Sequence, residues 1–151
     1  MEIHSIGYHH YHDKDFVIDR PDGIGQSWLF LVFKTRTIVR QNGVDTVVLP
    51  DSCIIYSGDE PEYYKADDET YVDDWFHFTV EELDIQLFRE LALPINKVIY
   101  LGDAYEISSI IRTMTFEHYS SNIYSADVVE LNMKILFFRL ARLIHSDIRL
   151  L

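Results

Sequence analysis

Cysteine is nearly missing from this 151-residue chain: Cys53 stands alone, so an intrachain disulfide is excluded. It sits in the apolar run Cys53-Ile54-Ile55-Tyr56, the usual setting of a buried, inert thiol. Basic residues are also scarce, 13 against 25 acidic ones for a formal charge of -12, and no dense block of Lys and Arg is available to track a phosphate backbone. This segment is therefore not expected to bind nucleic acid directly. Long hydrophobic runs are lacking as well. Trp28 to Phe33 and Ile135 to Phe138 fall far short of the ~20 residues of a membrane span, and the polar, His-rich stretch Met1 to His12 has no apolar centre of a signal peptide. A soluble, cytoplasmic protein with no membrane partner is expected. There is no Ser-Gly elbow, HExxH, phosphate-cradling glycine loop or close acid pair near the aromatic strand described below. Neither catalysis nor a cofactor is expected.

What the chain does contain is enough apolar sequence, 48%, for one well-packed domain. Up to Phe78 it reads as strands and turns. Trp28 to Phe33 is a continuous apolar run, as in a strand buried on both faces, and Thr37 to Arg40 continues in β-formers. Asn42-Gly43 supplies the positive φ angles of a tight hairpin, with Val44 to Leu49 as the returning strand. Cys53 to Tyr56 and Tyr71 to Phe78 add short strands on either side of turns, a spacing that suggests a sandwich or barrel.

After Phe78 the apolar period lengthens to that of a helix. Thr79 and Glu82 form a capping-box pattern for a helix ending near Leu91, and Asp103 with Glu106 starts a second that runs to about Tyr119. The last helix, from Ser125 to His145, carries two apolar stripes. Val129, Met133, Leu136, Leu140 and Leu143 alternate in steps of four and three, the spacing of a coiled-coil seam, while Val128, Leu131, Ile135 and Phe138 occupy roughly the opposite side. The first stripe is assigned here as a homodimer seam. The expected organisation is a single domain over 1–151: an N-terminal arm 1–15, a β-barrel 16–78, and a helical region 79–151 containing a dimerisation helix 126–145. The residues Ile148-Arg149-Leu150-Leu151 stop without a helix-ending Gly or Pro, which leaves room for a continuation.

One strand concentrates polar chemistry. Alternation along Asp73-Asp74-Trp75-Phe76-His77-Phe78 puts Asp73, Trp75 and His77 on one face and Asp74, Phe76 and Phe78 on the other. If the phenylalanines face the packing side, the first three face the barrel interior. There an indole plane stacks on a sugar-like ligand, and a carboxylate and an imidazole take its hydroxyls. Arg20, before the turn Pro21-Asp22-Gly23, adds a rigid fork of donors, and the Tyr64 and Tyr71 hydroxyls stand near enough to close the site. The competing reading makes Trp75 and His77 ordinary core residues and Arg20 a solvated partner of Asp19 or Asp22. His9-His10-x-His12 places two imidazoles on one face of an extended segment, yet no further ligands follow at a metal-site spacing. It is read as a flexible arm, and no metal is assigned.

Taken in order, Ile18-Asp19-Arg20-Pro21-Asp22-Gly23, Leu49-Pro50-Asp51, the segment Ile54 to Tyr64 and the strand Asp74 to Phe78 resemble the N-terminal sensor domain of AraC-type transcription regulators. The resemblance spans about Ile6 to the last helix. It implies a mainly β, cupin-like jelly-roll barrel followed by about three helices, the last of which dimerises. It also implies a carbohydrate effector in the barrel and DNA contacts made only through a separate C-terminal helix-turn-helix domain absent from this chain. Arg20, Tyr64 and Trp75 match positions whose family counterparts touch the sugar, and Asp73 stands where the sugar-binding relative has His. Two departures are visible: Glu62 replaces the usual His of a Pro-Gly-x-x-His-x-Tyr pattern, and Lys34-Thr35-Arg36 replaces a glycine. Extra acid near the mouth disfavours an anionic ligand. Two alternatives stay open. One is a stand-alone metal-dependent cupin enzyme acting on a sugar or small acid through His9, His10, His12 or His77. The other is a dimerisation module whose barrel is filled by its own side chains.

Overall fold

The computed structural model describes residues 1–146, so the chain ending read above at 147–151 lies outside the described residues. Strands β1 (Glu2–His12), β2 (Val17–Arg20), β3 (Ser27–Phe33), β4 (Thr37–Gln41), β5 (Val44–Val48), β6 (Ser52–Tyr56), β7 (Glu62–Ala66) and β8 (Tyr71–Thr79) lead into helix α1 (Glu82–Glu90). The short strand β9 (Ile99–Tyr100) and helices α2 (Tyr105–Tyr119) and α3 (Ser125–His145) follow. The strands form two antiparallel sheets, ordered β1-β8-β3-β6-β9 and β2-β7-β4-β5, packed as a cupin-like barrel. Asn42 and Gly43 take φ angles of 52° and 75° between β4 and β5, the geometry that matches hairpin turn to strand twist.

β3 explains its own unbroken hydrophobic run. Leu29, Leu31 and Phe33 point between the sheets, whereas Phe30 and Val32 point at the helices, so each position from Leu29 to Phe33 is buried on one side or the other. β8 is divided in the same way. Phe76 and Phe78 join the sheet–helix core, and Asp73, Trp75 and His77 look into the barrel.

The expected N-terminal arm is a correction. Most of segment 1–15 is β1, an edge strand paired along β8 from Glu2↔Thr79 to His12↔Tyr71. Its polar composition hid this, because an edge strand needs backbone pairing more than apolar side chains. The pairing is interrupted by a register shift between Gly7 and His10, where His9 takes a φ of 48°. The bulge frees the His9 amide to donate to Asp74 Oδ1 at 2.6 Å. Gly7 lies opposite Trp75, and a Cβ there would come within 2.6 Å of the indole nitrogen. Only glycine lets β1 pass this close to the ring.

Helix starts shift by a few residues. α1 is capped by Glu81, whose amide donates to Asp84 Oδ2 at 2.9 Å, so the capping box sits two residues beyond Thr79. Asp103 does serve α2, accepting from the Tyr105 amide at 2.9 Å.

The seam on α3 is the second correction. Val129, Met133, Leu136 and Leu140 are buried in the chain's own core, and Leu143 packs against it. Phe137, in neither stripe read from the sequence, is fully buried among Phe30, Phe76, Phe78 and Phe88, with ring centroids 4.8–6.2 Å away. The aromatic outer surface of the five-stranded sheet accepts the same four-three spacing that a partner helix would. Leu131, Ile135 and Phe138 instead lie on the exposed side, 43–61% accessible.

Candidate ligand-binding site

Arg20, Tyr64, Asp73, Trp75 and His77 converge on one cavity of about 210 Å³ in the barrel. Strand register brings them there. β2 pairs with β7 so that Ile18 is opposite Tyr64 and Arg20 opposite Glu62, and β8 runs beside β3 with His77 opposite Leu29. Period-two alternation then aims Arg20 and Tyr64 from one sheet at Asp73, Trp75 and His77 from the other. β1 contributes His10 and His12, and the β1–β2 connection contributes Phe16. These three were not read as site residues. For the histidines the usable signal was the shared face of His10 and His12, whose rings lie 4.3 Å apart. Phe16 had no such signal, since only the closure of the barrel stacks it on His12 at 4.1 Å and Tyr71 at 4.4 Å.

Polar partners refine each role. Arg20 is not paired with Asp19 or Asp22; its Nη1 donates to Glu62 Oε1 at 2.8 Å, and the Glu62 carboxylate is fully buried. The glutamate that departs from the family pattern thus neutralises the guanidinium and orients it. Burial pushes the Glu62 carboxyl upward against the pull of Arg20. Tyr71 does not line the cavity but lies behind it, fully buried, and its hydroxyl donates to Asp73 Oδ2 at 2.7 Å. Asp73 is 3% exposed, and its Oδ1 has no hydrogen-bond partner among the described residues. Burial raises its carboxyl to about 7.

Trp75 Nε1 donates to His10 Nδ1 at 3.0 Å, which fixes the indole against β1. His77 packs edge-on to Trp75 at 5.4 Å. Burial first, and the Arg20 charge second, lower its imidazole to about 4 and keep it neutral near pH 7. Cys53 is buried in the sheet–helix core, away from this cavity, with its thiol pushed up to about 12 by burial. Among the described residues no group of three or more His, Cys, Asp or Glu side chains is placed to hold a metal ion. The cavity therefore offers aromatic faces, a paired guanidinium, a neutral imidazole and one orphaned buried acceptor. Such a set can bind and orient a small polar molecule.

No protein-family model and no curated protein matches the sequence. Solved structures do. ToxT from Vibrio cholerae superposes with a TM-score of 0.55 at 9% identity, over 94% of this chain and 57% of its own. A second ToxT structure, from strain O395 and bound to (E)-4-(8-methylnaphthalen-1-yl)but-3-enoic acid, gives 0.56 at 10% identity over the same shares. A cupin_2 domain of an XRE family transcriptional regulator from Enterobacter cloacae overlaps less, with a TM-score of 0.40 at 11% identity over 47% of this chain and 77% of its own. The chain thus spans little more than half of ToxT. Among the described residues no helix is long and apolar enough to cross a membrane. At these identities the shared property is the fold, and it is the one implied by the resemblance: the cupin-like barrel with trailing helices found in the N-terminal domain of the AraC-family protein ToxT.

Proposed function

We propose that the chain is a ligand-sensing domain of an AraC-type regulator, binding a small carbohydrate in the barrel cavity without chemical turnover. The convergence of Arg20, Tyr64, Asp73, Trp75 and His77 on one partly polar space carries this reading. At about 210 Å³ the cavity lies below the ~300–1,000 Å³ usual for drug-sized ligands and suits something near one sugar ring. Trp75 supplies a stacking plane, while Asp73, His77 and the Arg20–Glu62 pair supply acceptors and donors. Effector occupancy controls tethered helix-turn-helix domains to the extent that the ligand prefers one arrangement of β1 or the helices over another. The link to β1 is the Trp75–His10 hydrogen bond beside Gly7.

The homodimer of this proposal uses the exposed stripe of Leu131, Ile135 and Phe138 rather than the buried one. An apolar face on a helix whose other side is already packed is the natural place for a second copy. A bound organic acid, as in the ToxT structure, is a less suitable guest: Glu62 occupies the one guanidinium in the cavity, and a carboxylate would have to displace it.

Isothermal titration across mono- and disaccharides, with small carboxylic acids as the second arm, tests the site. A saturable sugar signal that Trp75→Ala and Arg20→Ala each weaken by at least about tenfold is expected from the loss of a stacking plane or a charged hydrogen bond. Binding unchanged by both substitutions removes the cavity from the mechanism. Stoichiometric zinc, iron or manganese in purified protein, lost on replacing His10 and His12, would instead favour a metal-dependent enzyme.

A further inference from the structure

Resting on the reading that the cavity holds a hydroxyl-rich effector, we infer that this effector carries a protonated amine which pairs with Asp73. An amino sugar, or a small hydroxylated amine of similar shape, is the ligand class. One carboxyl group in the cavity is left without a counter-charge. Arg20 and Glu62 neutralise each other at 2.8 Å, and His77 is held neutral by its burial. Asp73 is the remaining acid on the lining, and it has no cationic partner.

Its two oxygens are treated differently. Oδ2 accepts the Tyr71 hydroxyl, which pins the carboxyl plane, while Oδ1 is buried and unpartnered among the described residues. A buried polar atom without a partner costs free energy that folding alone does not recover, so the site gains most from a guest that supplies a donor there. A hydroxyl fills the geometric need. An ammonium fills it with a charge-assisted bond and also supplies the missing counter-charge.

The surroundings favour a cation over an anion. Trp75 and Phe16 line the cavity, and an ammonium is attracted to the π-electrons of such rings. The carboxyl near 7 is poised to ionise when a positive group arrives, with Tyr71 already holding the charged form. The chain's formal charge of -12 draws cations toward the domain and repels uronic and other sugar acids.

Calorimetric titration at pH 7 compares glucosamine, galactosamine and mannosamine with their parent hexoses and with their N-acetyl forms, which keep the shape and remove the charge. At least one amine is expected to bind about tenfold or more tighter than both of its neutral counterparts, as befits a charge-assisted pair. Asp73→Asn, which keeps an acceptor for Tyr71, is expected to shrink that ratio to within about threefold. The wild-type ratio decides the question even if the variant folds poorly. A parent hexose that binds as tightly as its amine overturns the amine assignment and leaves the carbohydrate reading standing. Failure of all nine probes to bind the wild type overturns both.

Discussion

The two faces of β8 are built from the same strand with opposite purposes. Phe76 and Phe78 are fully buried against α3, where Phe137 joins them. About 3.4 Å of backbone away in the pleat, Asp73, Trp75 and His77 line a cavity and leave a carboxylate oxygen unpaired among the described residues. One side of the strand maximises packing; the other forgoes it. Close packing fills most protein interiors, and this space is left open. The neighbouring Asp74 shows that burial alone does not create a site. Its carboxylate is equally buried and likewise has one oxygen, Oδ2, without a partner among the described residues, but its Oδ1 accepts the His9 amide, holding the β1 bulge in place, and it does not line the cavity.

The same opposition runs along α3, and it can be broken from the inside out. Leu136→Lys would place an unpaired charge in the fully buried face and is expected to abolish cooperative folding, the largest effect of the set, read by circular dichroism and urea denaturation. A soluble, natively folded Leu136→Lys protein would return this face to the surface. Next comes the cavity side of β8. Raising the Asp73 carboxyl from 3.8 to about 7 means that the unfolded chain gives up its proton first, so this residue favours the fold below about pH 4 and progressively opposes it up to about pH 7. Asp73→Asn is therefore expected to gain stability over the wild type as pH rises through that window, by up to about 4 kcal/mol. His77 works in the opposite sense: its imidazole, lowered from 6.5 to about 4, withdraws stability as pH falls from 6.5 toward 4. Thermal unfolding of both proteins between pH 4 and pH 8 checks the Asp73 expectation, and parallel curves would remove it. The smallest effect on stability belongs to the outer stripe. Leu131→Lys with Phe138→Lys should change unfolding free energy by no more than about 1 kcal/mol yet convert the proposed dimer to a monomer in sedimentation velocity. A dimer that survives both changes is held together elsewhere.

Some of this was readable before any coordinates. The Asn42-Gly43 hairpin follows from two residues that tolerate positive φ, and β3 announces its double burial by an unbroken apolar run. Alternation in β8 separates the cavity residues from the packing residues without reference to any neighbour, because a strand's side-chain period is fixed by its backbone. β1 was illegible for the complementary reason. Its pairing to β8 uses backbone groups that every residue carries, so a polar, histidine-rich composition gives no sign of it.

Sequence alone therefore determined periodicities: which residues share a face, where the chain turns, and that the last helix has two apolar sides. Tertiary structure decided what each face meets. A four-three stripe on a helix fits an aromatic sheet as well as a partner helix, and only the position of Phe30, Phe76, Phe78 and Phe88 assigned it to the chain's own core. The pairing of Arg20 with Glu62 and the isolation of Asp73 Oδ1 depend likewise on strands distant in sequence being brought into register. Local patterns report geometry along one element, whereas charge compensation and cavity formation are properties of the space between elements.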